Sequence, residues 1–222
     1  MRSIAVIGLG RFGTALAFSL QEKGVEVQAI DVDRREVQDL GDSVVQPIQL
    51  DARDRRQLEA HGVHELDIVV VAIGEDFEAA QECVVALKNL GAKWIIARAQ
   101  TRDRKRILEM IGANRVVSPE EESAKRVAQS LTHPMVSETH DLGSGIEIAT
   151  MKVPVQFDGK SLLDLRAEIS DVGIVVVRVT RAEARPGEPR IIMPPSANTV
   201  LAVNDDITFV AKSQQVKDLA SL

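Results

Sequence analysis

Ile4-Ala5-Val6-Ile7-Gly8-Leu9-Gly10-Arg11-Phe12-Gly13 opens the chain as an apolar run that breaks into G-x-G-x-x-G and continues as helix-forming sequence. Each glycine has a separate job in a nucleotide phosphate loop. Gly8 permits the tight strand-to-helix turn, Gly10 lets backbone N–H groups approach a pyrophosphate, and Gly13 lets the helix pack on the sheet, with the anion at the helix N-terminus. A glycine fingerprint alone says little, but its context is complete here. A strand precedes it, an amphipathic helix carrying Phe12, Leu16 and Leu20 follows, and a second strand ends in Asp31 about 20 residues on. A carboxylate at that point accepts both hydroxyls of an adenosine ribose and repels a 2′-phosphate, which favours NAD, ATP, ADP or AMP over an NADP-like ligand. Arg11 either reaches a terminal phosphate through a charge-assisted contact or is a solvated residue of the first helical turn.

From this loop the alternation of strand and helix signals runs on to about residue 131. Strands are expected over 3–7, 26–30, 44–50, 68–73, 94–97 and 115–117, and helices over 12–23, 34–40, 54–61, 77–90, 102–111 and 121–131. That pattern predicts an α/β fold, a Rossmann doubly wound parallel sheet of order 3-2-1-4-5-6. The most apolar strand, Ile68-Val69-Val70-Val71-Ala72-Ile73, reads as central and ends in Gly74 at the carboxyl edge where ligands sit. Asp51 and Ala52 end the third strand at the same edge. There Asp51 either meets the adenine or its ribose, or caps the next helix. The candidate nucleotide set is therefore Gly8, Gly10, Arg11, Phe12 and Gly13, then Asp31, Val32 and Asp33, then Asp51 and Ala52, and Ala72, Ile73 and Gly74.

Around His133-Pro134 the rhythm changes to a polar stretch ending in Gly143-Ser144-Gly145. The expected domains are 1–132, a connector over 133–145, and a small α+β module over 146–222 with strands at 146–153, 174–179, 190–193 and 207–211. A helical turn is expected near 162–169, an exposed hairpin tip at 185–189 and a terminal helix near 214–219.

With 222 residues, 45% of them hydrophobic, the chain can bury a full core, but it leaves no room for a large substrate domain. Its net charge of −6 and the absence of a concentrated basic face argue against nucleic acid as a partner. Cys83, the single cysteine, sits in an apolar helix and fits a reducing cytoplasm. No apolar run reaches the roughly 18 residues of a spanning helix, and the start lacks signal-peptide character, so a cytoplasmic location is expected.

Catalytic chemistry is thinly supplied. The chain has four His and no Tyr, and His61, His64, His133 and His140 lack orienting partners in the pattern, so no enzyme is expected. One Cys and scattered His cannot build a zinc site. Pro119-Glu120-Glu121-Glu122 opens a helix, where acidic residues suit the dipole, although three carboxylates together also suit a hard cation.

The loop, the Asp31 strand end, Val70-Val71-Ala72-Ile73-Gly74, Ala97-Arg98-Ala99-Gln100 and Ile111-Gly112-Ala113-Asn114-Arg115-Val116-Val117-Ser118-Pro119-Glu120 come in an order and spacing that resemble the TrkA/KtrA family. Gly159-Lys160-Ser161-Leu162-Leu163-Asp164-Leu165 adds a weaker match in the second half. The resemblance implies an RCK N-terminal domain followed by an RCK-C ligand and oligomerisation domain. It further implies a regulatory subunit, peripheral at the inner face of the membrane, that gates a potassium-translocating membrane subunit in response to ATP versus ADP. The residues read alone leave NAD or NADH, in an oxidoreductase or an NAD sensor, as the alternative. Dimers assembling into an octameric ring are implied too. Arg11 is implied at the terminal phosphate, Arg98 near the phosphates, and Glu120 at a Mg²⁺, Ca²⁺ or Na⁺ ion at the subunit interface. Cyclic di-AMP is implied at the C-terminal domain through an Arg shortly after the Leu162–Leu165 segment, where this chain has Arg166.

Overall fold

The computed structural model describes residues 2–40, 46–132, 135–168, 174–181 and 190–220. His133, Pro134, the start of the expected third strand at 44–45 and the expected hairpin tip at 185–189 lie outside the described residues, as does the side chain of Arg166. The chain forms two compact units, Met1–Ser123 and Ala124–Leu222.

The first unit is built on β1 (Ser3–Ile7), β2 (Glu26–Asp31), β3 (Gln46–Gln49), β4 (Ile68–Val71), β5 (Ile95–Arg98) and β6 (Arg115–Val117). They form one sheet of order β3-β2-β1-β4-β5-β6, parallel throughout. α1 (Arg11–Glu22), α2 (Arg34–Asp39), α3 (Arg55–Ala60), α4 (Phe77–Asn89), α5 (Arg102–Ile111) and α6 (Pro119–Thr132) alternate with the strands. Successive residues of β1 point to opposite faces, so Ala5 and Ile7 join Leu58 of α3, Val84 and Leu87 of α4 and Leu108 of α5, while Val6 joins Ala17 of α1 and Leu40 after α2. Each fully buried Leu contributes about 1.5–3 kcal/mol of transfer free energy, which holds helices on both faces.

β4 ends at Val71, two residues before the run of apolar sequence stops. Ala72, Ile73 and Gly74 instead pass under the glycine loop, and a Cβ on Gly8 would stand 2.9 Å from the backbone nitrogen of Ile73.

The second unit carries an antiparallel sheet of order β10-β9-β11-β8-β7, made of β7 (Val136–Gly143), β8 (Ile146–Lys152), β9 (Val175–Arg181), β10 (Arg190–Ile192) and β11 (Asp206–Lys212). The expected connector over 133–145 is corrected here, since most of it is β7. As an edge strand β7 buries only Val136 at its start, so its sequence shows no apolar alternation to betray it. The Gly143-Ser144-Gly145 stretch is the hairpin turn into β8, with φ positive at all three residues. α7 (Leu162–Glu168) starts on a capping box, in which the Ser161 backbone N–H donates to Asp164 Oδ2 at 2.8 Å and the Asp164 backbone N–H donates to Ser161 Oγ at 3.2 Å. α8 (Ser213–Ala220) closes the chain, and Phe157, Met151, Leu165 and Phe209 centre the core of this unit.

Candidate functional site

The loop between β1 and α1 is held open by its own backbone chemistry. Gly8, at φ +94°, donates its N–H to Ile30 O at 2.8 Å. Gly13 lies so close beneath the loop that a Cβ there would fall 1.8 Å from Gly8 O, whereas a Cβ on Gly10 would meet nothing within 4 Å. Asp31 clamps the loop: one carboxylate oxygen accepts the Leu9 N–H at 2.6 Å and the other accepts the Asp33 N–H at 2.8 Å. Thr14 Oγ1 donates to Leu9 O at 2.6 Å. Gly10 caps α1 without a side-chain acceptor and the first turn has no acidic residue, so the N-terminal N–H groups and the positive end of the dipole are available to an anion.

Loop and strand ends surround a cleft of about 1460 Å³ at the carboxyl edge of the first sheet. It is lined by every residue of the candidate set except Gly13, and by Arg98 and Glu120. Gly13 supports the loop from below instead. Arg11 lines the cleft as the first, exposed residue of α1.

Arg98 is the least exposed of the three cations that line the cleft. Its side chain is only 16% exposed and forms an ion pair with Glu120. The guanidinium stands 5.6 Å from the Phe12 ring centroid, and a Cβ on Gly74 would lie 2.6 Å from its Nη1, so Gly74 is the residue that leaves it room. Arg98 Nε is buried without a hydrogen-bond partner. An orphaned guanidinium N–H, an open N-terminus and the space over Gly10 fit a phosphate-bearing ligand.

Glu120 does not by itself make a cation site. Among the described residues no three His, Cys, Asp or Glu side chains cluster as metal ligands. The acidic run is instead divided, with Glu120 on Arg98 and Glu121 3.9 Å from Arg102. Burial pushes the Glu120 carboxyl up, but hydrogen bonds from its own backbone N–H and from Arg98 outweigh it and hold the group below its ordinary 4.5. A depressed carboxylate contributes stability that is full above 4.5 and is lost as pH falls through the lower folded value. The melting-temperature difference between wild type and Glu120→Gln is therefore expected at neutral pH and to shrink as the pH is taken below 4.5. Equal differences across that range would remove the Arg98 pair as its source.

On the β3 side, α3 is capped by Asp54, whose Oδ1 accepts the Arg56 N–H at 2.9 Å, so the capping alternative for Asp51 is corrected. Asp51 holds Arg53 instead, with Nη2 to Oδ2 at 2.7 Å, and this contact lowers its carboxyl below the usual range despite partial burial. Asp33 caps α2, accepting the Arg35 N–H at 2.8 Å. Sequence reasoning missed Thr14, Arg53, Glu75, Asp76 and Gln100, which also line the cleft. Their shared signal is position within a few residues of the glycine loop or of a strand's carboxyl end.

His61, His64 and His140 do not line this cleft. His61 Nδ1 lies 3.2 Å from Gln57 O at the end of α3, and His64 lies 4.0 Å from Glu65. Cys83 is fully buried in α4, and burial pushes its thiol far up, away from reactivity.

The TrkA-N domain family model matches residues 4–119 and the TrkA-C domain family model residues 147–222. Ktr system potassium uptake protein A of Vibrio alginolyticus is 32% identical over 215 residues, 97% of this chain and 94% of its own length. Ktr system potassium uptake protein C of Bacillus subtilis is 32% identical over 209 residues, 94% of this chain and 91% of its own. Among solved structures, the GsuK channel bound to NAD aligns over 100% of this chain at a TM-score of 0.55 and 23% identity. GsuK bound to ADP aligns over 60% of it at 0.52 and 26%. The alignments cover 38% and 34% of those chains, so this chain corresponds to a minor part of each. The likeness to the NAD-bound channel shows the fold, and the relatives are named as parts of potassium uptake systems rather than as enzymes. With a TrkA-N domain on the glycine-loop unit and a TrkA-C domain on the antiparallel one, the chain belongs to the TrkA/KtrA family of potassium-uptake proteins.

Proposed function

We propose that this protein is a cytoplasmic nucleotide-sensing subunit that gates a membrane potassium-translocating partner according to whether ATP or ADP occupies the cleft. The observation that carries the reading is the Arg98 guanidinium, buried in the cleft beside Phe12 with one N–H unpaired and another held by Glu120. Glu120 stands in the first turn of α6, the helix in which the first unit ends and the second begins. A phosphate reaching Arg98 competes with Glu120 for the same donors, so occupancy of the cleft is felt at the start of α6. A ligand shifts a conformational equilibrium only through different affinity for the two states, and a third phosphate supplies such a difference. Dimers assembling into an octameric ring are the proposed element that amplifies it. A Mg²⁺, Ca²⁺ or Na⁺ ion at Glu120 belongs to this proposal only as a companion of the phosphates at a subunit interface.

No helix among the described residues is long and apolar enough to cross a membrane, so the ion path would lie in the partner. Flux through the reconstituted membrane partner is expected to differ between ATP, ADP and no nucleotide. A coupling of about 1–3 kcal/mol is enough to change it several-fold. Arg11→Ala is expected to weaken ATP more than AMP, because only the longer chain of phosphates reaches its guanidinium. Identical flux in all three conditions would overturn the gating proposal, and an equal loss for ATP and AMP would reduce Arg11 to a general charge.

A second reading is an NAD(H) sensor, whose ribose Asp31 would serve equally well, and it is favoured by a cleft of about 1460 Å³, larger than the roughly 300–1,000 Å³ of ordinary small-molecule pockets. Competition titrations of ATP against NADH separate the two.

A further inference from the structure

The end of the cleft beyond Asp31 carries a side chain that neither the glycine fingerprint nor the family match assigns. In the sheet order, β1 with the glycine loop is followed by β2 with Asp31 and then by β3, after which come Asp51, Ala52 and Arg53. A nucleotide with phosphates at the loop and ribose at Asp31 therefore extends its base toward this third strand end. Arg53 is fixed there. Its Nε lies 2.9 and 3.1 Å from the two Asp51 carboxylate oxygens, its Nη2 lies 2.7 Å from Oδ2, and its backbone N–H donates to Oδ1 at 3.0 Å. The Asp51 N–H in turn donates to Gln57 Oε1 at 3.1 Å, and Asp54 N–H donates to Asp51 O at 3.0 Å.

Such a forked pair holds the guanidinium in one plane, and Arg53 lines the cleft with its side chain half exposed. An ion pair with an Arg half exposed, at 50%, adds little to stability, so the clamp has no evident folding purpose. The same cleft is also lined by Val32, which is 60% exposed at the end of β2, and by the buried Leu50 and Ala52. An exposed apolar side chain and a preset planar cation are the surfaces that a flat, π-bearing base buries well.

We propose that Arg53, clamped by Asp51, stacks its guanidinium plane on the nucleobase, with Val32 supplying apolar contact in the same subsite. The proposal rests on the reading of this cleft as an adenine-nucleotide site. The cations of the cleft then divide by the part of the ligand they meet. Arg11 and Arg98 answer to phosphate, whereas Arg53 answers to the base whatever phosphates follow.

The test uses the full chain with Arg53→Ala and Arg53→Lys, titrated calorimetrically with adenosine, AMP and ATP. Arg53→Ala is expected to weaken all three by the same factor, about tenfold. Arg53→Lys, which keeps the charge and loses the plane, is expected to restore little. Thermal unfolding without ligand is expected to match wild type, which shows that the fold is not the cause. A loss that grows from adenosine to ATP, or that lysine repairs, would make Arg53 a phosphate-facing charge and overturn the proposal, as would undiminished affinity in Arg53→Ala. Absence of binding by the wild-type chain itself would mark failure of the underlying nucleotide reading instead.

Discussion

Asp31→Ala is expected to cost about 2–4 kcal/mol of nucleotide affinity, because two hydroxyl donors lose a charged acceptor. That is roughly a 30- to 1,000-fold weakening. The structure adds a second consequence. Both Asp31 oxygens already accept backbone N–H groups, from Leu9 and Asp33, and Leu9 is only 1% exposed. Removing the carboxylate leaves a buried N–H without a partner, at about 1–3 kcal/mol, so the ligand-free protein should melt several degrees lower as well. A carboxylate oxygen has lone pairs to spare, so the loop contacts leave the same group able to accept from a ribose. Calorimetric titration and a melting curve without nucleotide measure the two effects separately. Affinity equal to wild type would remove Asp31 from the ribose, and an unchanged melting temperature would contradict the clamp.

The order β3-β2-β1-β4-β5-β6 was legible in the sequence because strands buried on both faces must be continuously apolar, as Ile68-Val69-Val70-Val71 is, and because right-handed crossovers leave few topologies for strands that alternate with helices. β7 was not legible, for the opposite reason. An edge strand with one short buried end can be written in Ser, Glu, Thr, His and Asp, and then it resembles a linker. Of the site, the residue types and their strand ends were legible, since glycine and aspartate are needed there for local backbone reasons. Pairings across the fold were not. Arg98 and Glu120 could each be singled out, but their ion pair depends on β5 and the start of α6 emerging at the same edge. The expected helix over 54–61 left Asp51 as its candidate cap, whereas the helix begins one residue later, at Arg55, and Asp54 is the cap. Arg53 carries no signal of its own, because nothing in a sequence shows that a guanidinium is held flat.

The three loop glycines should separate when replaced, and the sharpest contrast lies between Gly10 and Gly13. A methyl group on Gly13 would stand 1.8 Å from Gly8 O and 3.3 Å from the Ala72 Cβ. The first of these is backbone in a turn already fixed by the Gly8 N–H bond to Ile30 O, so neither side can yield without moving α1 off the sheet. Gly13→Ala is therefore expected to destabilise the first unit by about 3 kcal/mol or more, at the severe end of overpacking. Gly10 sits at φ −64° and ψ −174°, a conformation open to any residue, with nothing within 4 Å of an added Cβ. Gly10→Ala should cost the ligand-free protein only about 0.5–1 kcal/mol, since alanine is a poorer helix cap than glycine. Yet that methyl would occupy the space through which a pyrophosphate approaches the open N–H groups of α1. Each charge-assisted hydrogen bond lost there is worth about 1.5–3 kcal/mol, so nucleotide affinity should fall at least about tenfold. Urea unfolding without ligand and nucleotide titration of both variants read the two effects. Wild-type affinity in Gly10→Ala would mean that no phosphate comes close at that position, and wild-type stability in Gly13→Ala would mean that α1 and the loop can part without cost.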